Sequence, residues 1–368
     1  MGFEPRYTIT SRVARGLMRI EAARQAVAAL PLNERVLAGL RRSARLVSTH
    51  YSTQIEGNRL TRAQVERVLV QGDRIAQRER DEKEVKGYYA ALDYAESYAA
   101  GHETLTETFI RKLHAMVMGG GKARCKPTPY RDGQNVIRDS GSGRIVYMPP
   151  EAGDVPALMK EIAAWVNLHA ADVPVPVVAA VAHYQFATIH PYYDGNGRVA
   201  RLLTNTVLHQ HGYGLRGIYN LEEYYARNLG DYYAALDVGQ GHNYYMGRAA
   251  ADISGWVEYF IAGVAESFEA VREKMRQSAP AGDRSDWIRS LDARQRKVLA
   301  LFEEWAEITT PRIAELLKLS PRGARALAQK WVRDGFLVIA NPSKRGRTYR
   351  LRESGGRSCY THDGVGRR

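Results

Sequence analysis

The stretch that restricts the architecture of this chain most is His190-Pro191-Tyr192-Tyr193-Asp194-Gly195-Asn196-Gly197-Arg198-Val199-Ala200-Arg201. It joins an apolar segment, Val177 to Ile189, whose pattern predicts a helix, to a second predicted helix running from Asn196 to His211. Gly195-Asn196-Gly197 lets backbone N–H groups point into one concavity at a helix N-terminus, which is a ready-made anion site. Arg198 and Arg201 are three residues apart, so they fall on neighbouring helical positions facing the same anion. Asp194 is a hard oxygen ligand suited to Mg²⁺ carried by a polyphosphate. His190 takes a proton near neutral pH. A phosphate cradle, a metal ligand and a base therefore stand within one short run.

These residues resemble the signature of the Fic (filamentation induced by cAMP) domain family, His-Pro-Phe-x-Asp-Gly-Asn-Gly-Arg-x-x-Arg. Every specified position matches except the third, where Tyr192 stands for Phe. The resemblance implies transfer of AMP from ATP to a hydroxyl (Tyr, Ser or Thr) of a target protein, with release of pyrophosphate and with Mg²⁺ or Mn²⁺ as cofactor. It makes His190 the base and Asp194 the metal ligand. Asn196, with the amides around Gly195 and Gly197 and help from Arg198, would hold the α- and β-phosphates, and Arg201 the γ-phosphate. Removal of AMP, or transfer of UMP or phosphocholine, shares the same fold and stays open. So does a regulator of another class, a DNA-binding protein whose pocket only senses nucleotide.

A second run, Ser52-Thr53-Gln54-Ile55-Glu56-Gly57-Asn58, closes a helix predicted from Leu40. Ser52 and Glu56 share one helix face, and Gly57 suits the stop. A glutamate in the last turn opposes the helix dipole by roughly 0.3 to 1 kcal/mol unless a cation compensates, so Glu56 requires a partner. The run resembles the family's Ser/Thr-x-x-x-Glu-Gly/Asn inhibitory helix, which implies that Glu56 bonds Arg201 while Ser52 reaches the nucleotide site. The pattern from Gly133 to Tyr147 predicts a hairpin, with strands Asn135 to Arg138 and Arg144 to Tyr147 around a glycine-rich turn. It resembles the family's flap, whose Val136, Ile137, Arg138 and Ile145 would dock an extended target segment by β-augmentation.

The remaining patterns of the first 276 residues also predict helices. Thr61 opens one with capping-box spacing to Gln64, and Asp81 to Tyr98, Leu105 to Met118, Val155 to His169 and Ile253 to Gln277 supply others. The expected fold is mainly α, a Fic-type bundle with a β-hairpin flap and a C-terminal α+β winged-helix domain. Its expected divisions are a helical region over 1–100 with the inhibitory helix at about 40–57, and a core over 101–276 containing the flap (133–147) and catalytic loop (190–201). A linker at 277–286, a winged helix-turn-helix at 287–354 and a disordered tail at 355–368 complete it.

The net charge of +13 is unevenly placed: from Trp287 onward 18 Lys/Arg stand against 8 Asp/Glu, whereas the preceding 286 residues hold 35 against 32. In that basic part Asp292 to Trp305 is expected to be helical. Thr310-Pro311 and Ser320-Pro321 each read as an N-cap followed by a helix-starting proline. Strands are expected at Phe336 to Ala340 and Arg347 to Arg352. Arg322, Arg325, Gln329 and Arg333 recur on one face of the third helix and could enter a DNA major groove, with Lys344, Arg345 and Arg347 on phosphates. Docking of a protein remains the alternative. With two cysteines in 368 residues, a disulfide framework or thiolate metal site is excluded. No segment reads as membrane-spanning and no secretory signal is visible, so a cytoplasmic protein is expected. Self-modification and homodimerisation are further expectations.

Overall fold

The computed structural model describes residues 3–30, 34–101, 104–122, 124–138, 141–239, 242–278, 290–305, 307–343 and 347–352. The chain divides into two compact units, Met1–Ser278 and Ala279–Arg368. The first is built around α7 (Val175–Ile189), which is buried on nearly every side. A helix apolar all round has to be enclosed by others. It is enclosed by α6 (Val155–His169), α8 (Asn196–Gln210) and α11 (Ser254–Ser278). Trp256 of α11 is fully buried and donates its indole N–H to the Ala180 carbonyl at 2.8 Å, fixing α11 on α7. Around this centre lie α1 (Ser11–Ala29) against α11, and α4 (Glu79–Gly101) against α5 (Glu107–Gly119) and α8. Helix α2 (Glu34–Ile55) packs on α4 and on the short α9 (Glu222–Arg227), which α10 (Leu229–Leu236) follows.

Local chemistry sets the ends of these elements. The predicted capping box is present, Thr61 Oγ1 accepting from Gln64 N and the Gln64 side chain from Thr61 N; it opens α3 (Arg62–Glu66), which continues as a π-turn over Arg67–Gln71. Gly57 ends α2 in the left-handed region at φ 89°. Helix α2 begins six residues before the expected Leu40, and α1, α9 and α10 were not expected. The hairpin strands are β1 (Ile137–Arg138) and β2 (Ile145–Tyr147), with Ile137 opposite Tyr147 and Arg138 opposite Ile145. Among the described residues no helix is long and apolar enough to cross a membrane.

The second unit is a winged-helix-like α+β region. Two short helices, α12 (Ala293–Leu299) and α13 (Leu301–Glu304), precede β3 (Ile308–Thr309), α14 (Thr310–Leu317), α15 (Pro321–Arg333), β4 (Leu337–Asn341) and β5 (Thr348–Leu351). The sheet order is β3-β5-β4, and the core gathers Val298, Ile313, Trp331, Leu337 and Tyr349. Three expectations need correction. The helix expected over Asp292 to Trp305 is split at Ala300, and the sheet has a third strand, Ile308–Thr309. The cap before Pro311 is Thr309 rather than Thr310, and it makes no side-chain bond because pairing with β5 already fixes its backbone. Ser320 does cap α15, accepting from Gly323 N at 3.1 Å. The expected linker lies, apart from 277–278, outside the described residues, as do Lys344, Arg345 and the tail 355–368.

Candidate active site

Helix α7 stops at Ile189, and His190 takes a left-handed conformation, φ 51° and ψ 60°, with its N–H still bonded to Phe186 O at 3.0 Å. This turns the chain sharply toward the start of α8. The imidazole Nδ1 lies 3.3 Å from Ala187 O. Because a carbonyl only accepts, the proton of the neutral ring sits on Nδ1 and Nε2 keeps its lone pair. Desolvation lowers the His190 pKa to about 4, so the ring is neutral at pH 7.

The loop is closed by Asn196, whose Oδ1 accepts from Tyr192 N at 3.0 Å and whose Nδ2 donates to Tyr192 O at 2.7 Å. With that side chain engaged inside the loop, any Asn196 contribution to an anion falls to its backbone amide. Gly195, at φ 80°, starts α8, and the first amides of the helix have no intrahelical acceptor. Asp194 Oδ1 accepts from Gly195 N at 2.6 Å and from Arg198 Nη2 at 3.0 Å; these bonds leave Oδ2 open on a side chain that is 60% exposed. His114 of α5 supports the loop from behind. Its Nε2 lies 2.9 Å from Asp194 O, and its ring stacks on Tyr192 at 3.6 Å.

Arg201 is 1% exposed. Its Nε donates to Ser52 Oγ at 2.8 Å, and its Nη2 to Ser52 O at 2.9 Å and Glu56 Oε1 at 2.8 Å, while Nη1 has no partner. Burial alone would lower the guanidinium pKa, but the Glu56 carboxylate overcomes this and holds it above its ordinary value. A methyl group on Gly197 would collide with Glu56 Oε1 and lie 3.2 Å from Arg201 Nη1. The carboxylate therefore sits over the first turn of α8, where a helix N-terminus favours an anion.

The structure thus brings His190, Asp194, Gly195, Asn196, Gly197, Arg198, Arg201, Ser52 and Glu56 together. On the hairpin, Val136 and Ile137 are half-buried, Arg138 is exposed and Ile145 is 46% exposed. Beyond β2, Met148 pairs with the 242–244 segment: its N–H donates to His242 O at 2.7 Å and its carbonyl accepts from Tyr244 N at 3.0 Å. In the second unit Arg322, Arg325, Gln329 and Arg333 are exposed on α15, whereas Arg347 turns back with Nη2 3.4 Å from Pro342 O. The sequence reading missed His114, Tyr233 and Arg131. Tyr233 is half-exposed on α10 and feels the charges of Glu56 and Arg201. Arg131 lies in the approach to the hairpin with its guanidinium bonded to His190 O. Arg131 lies in a loop and Tyr233 on a short helix, where no periodic pattern flags them, whereas His114 falls on the buried face of α5, where a polar residue among apolar ones was the available signal.

The first unit is thus a helical core with a glycine-containing loop at the N-terminus of α8, a histidine on the same loop and a hairpin beyond it. Residues 104–208 match the model of the Fic/DOC family. Protein adenylyltransferase Fic of Drosophila melanogaster is 31% identical over 207 residues, which cover 54% of this chain and 39% of that protein. The D. erecta protein of the same name gives the same figures. The chain thus spans about two fifths of the length of these curated relatives. Among solved structures, a Fic family protein from Desulfovibrio desulfuricans G20 superposes with a TM-score of 0.66 at 24% identity, over 96% of this chain and all of that one. A Fic domain containing signaling protein from Bacteroides thetaiotaomicron gives 0.61 at 25% identity, over 71% of this chain and 97% of that one.

Proposed function

We propose that the protein is an autoinhibited adenylyltransferase, moving AMP from ATP to a hydroxyl of a target protein and releasing pyrophosphate. The observation that carries this reading is the Glu56 carboxylate bound to Arg201 over Gly197, an anion already seated in a cradle that shares its loop with a neutral histidine. The relatives named protein adenylyltransferase lend it support. In this mechanism His190 Nε2 takes the proton of the incoming hydroxyl. As that oxygen bonds to the α-phosphorus, the bond to the pyrophosphate oxygen breaks, and the amides of the first turn of α8 and Arg198 face the developing charge. Asp194 fits a Mg²⁺ ligand, because its Oδ2 is open beside the cradle. Among the described residues no group of three or more His, Cys, Asp or Glu stands ready to hold a metal, so the ion would rest on Asp194 and phosphate oxygens. When bound it neutralises phosphate charge. Helix α2 acts as the brake: Arg201 receives the γ-phosphate only when Glu56 has left it.

Glu56→Gly protein incubated with Mg²⁺ and α-labelled ATP should acquire label faster than wild type, and the added substitution His190→Ala should abolish it. Equal rates for Glu56→Gly and wild type would sink the brake. Intact mass after incubation with ATP, UTP or CDP-choline identifies the group transferred.

For the second unit a DNA partner is proposed on a separate observation. Helix α15 exposes Arg322, Arg325, Gln329, Lys330 and Arg333 while burying Ala324, Ala328 and Trp331. Such a face suits a groove lined by phosphates.

A further inference from the structure

Arg131 is 4% exposed and occupies the loop that leads into the hairpin. Its backbone N–H donates to Pro191 O at 3.0 Å and its Nε to His190 O at 3.0 Å. Nη1 donates to Gly133 O at 2.9 Å, with Gln134 Oε1 at 3.4 Å, and Nη2 donates to Pro150 O. Gly133 precedes β1 and Pro150 follows β2, so one guanidinium joins the carbonyl of the histidine to both hinges of the hairpin. Every acceptor is a neutral amide oxygen. A buried cation with that set of partners is expensive to maintain for packing alone, since an apolar side chain fills space without the desolvation penalty. Its fork geometry is what a rigid three-way junction needs, because the planar donors are fixed relative to one another.

Lesser ties run alongside it. Tyr193 OH donates to Asp132 Oδ1 at 2.8 Å, Asn135 Nδ2 to Tyr192 O at 3.2 Å and Gln134 Nε2 to Pro149 O at 2.8 Å. Each joins two segments. Among the described residues, the Arg131 guanidinium joins three: the histidine loop, the entry to the hairpin and its exit.

We propose that Arg131 is a positioning residue that sets the distance between the hairpin and His190, so that a segment paired to the hairpin presents its hydroxyl to Nε2. It touches neither substrate nor the reacting atoms. Its part in transfer rests on the adenylyltransferase reading, whereas its clamping of the hairpin does not.

The test uses the full chain with Arg131→Lys and Arg131→Gln, each made alone and with Glu56→Gly. Lysine keeps the charge but not the fork. In both variants the amides of residues 135–147 should exchange at least about tenfold faster, while those of α7 and α11 keep their protection. Trypsin should cut after Arg138 and Arg144 sooner. In the Glu56→Gly background, kcat for transfer should fall and KM for the target rise, with affinity for ATP unchanged, because the misplaced partner is the acceptor. Should Arg131→Gln fail to fold, Arg131→Lys decides on the same measurements. Hairpin exchange and cleavage like wild type in a folded variant would overturn the clamp. If Glu56→Gly alone transfers nothing, the activity reading fails, and hairpin exchange still decides whether Arg131 is the clamp.

Discussion

At the scale of single residues the site is governed by a buried cation with three bonds to one helix. Replacing Glu56 leaves Arg201 its two bonds to Ser52, so the guanidinium is not stranded and the fold should survive. Ser52→Ala removes a different part, the Nε acceptor. A hydrogen bond to a charged group contributes about 1.5 to 3 kcal/mol, so α2 should hold less tightly while Glu56 still covers the cradle. Label should therefore be acquired at a rate between those of wild type and Glu56→Gly, and a Ser52→Ala rate at or below wild type would count against the hold assigned to Ser52. Two histidines make a second prediction. His183, held between Thr204 Oγ1 and Tyr232 OH at 2.9 Å each, has its pKa lowered by burial to about 3, and His190 to about 4. Both lie below the ordinary 6.5 of the unfolded chain, so below that pH the unfolded state binds more protons and the native state loses stability as acid is added. Each group contributes up to about 1.4 kcal/mol per pH unit between 6.5 and its folded value. The melting temperature should fall between pH 6.5 and 4, and the His183 share should vanish in a folded His183→Gln variant.

Among the secondary elements, the best legible in the sequence are those whose pattern is strongest. The α6 span, Val155–His169, matches the expectation at both ends, and α7, expected from Val177 on its largely apolar run, starts two residues earlier at Val175 and ends at Ile189 as expected. Helix α1 was not expected because its buried stripe is made partly of small residues, Val13, Gly16, Ile20, Ala23 and Val27, so its apolar period is faint. Gly16 is there for contact, since a methyl group at that position would collide with Ile261 Cγ2 of α11. Gly16→Ala should therefore lower stability by roughly 1 to 3 kcal/mol despite its higher helix propensity, as overpacked cores do. A denaturant midpoint above wild type would show that α1 yields without strain. The residues of the cradle were legible because their spacing is local. Glu56 was too, because a carboxylate at a helix C-terminus asks for a cation. Arg131 and His114 were not, since their partners lie 59 and 80 residues away and no local pattern marks such a bond.

For the whole molecule the charge divides along the same line as the chain. The near-balanced first unit holds the loop with His190, Asp194, Arg198 and Arg201, where the proposed chemistry would depend on a few placed side chains and little on net charge. The basic surplus belongs to the second unit, and for the proposed DNA partner the number of charges matters, because binding to a polyanion releases counterions in proportion to the phosphates neutralised. Helix α15 gives the surplus a direction: between Pro321 and Arg333 it carries Arg322, Arg325, Lys330 and Arg333 with no acidic residue. If these side chains meet DNA phosphates, affinity for a duplex should fall steeply with salt. Arg322→Gln or Arg325→Gln should each lower the slope of log K against log salt by about 1. An arginine that reads a base edge behaves differently: its loss relaxes sequence preference at a cost of about 1 to 3 kcal/mol while the slope changes little. Measured on the full chain between low and physiological salt, absence of binding at the low end would assign the face of α15 to a protein partner instead. Glu56→Gly leaves this face untouched and should bind DNA with the same slope as wild type.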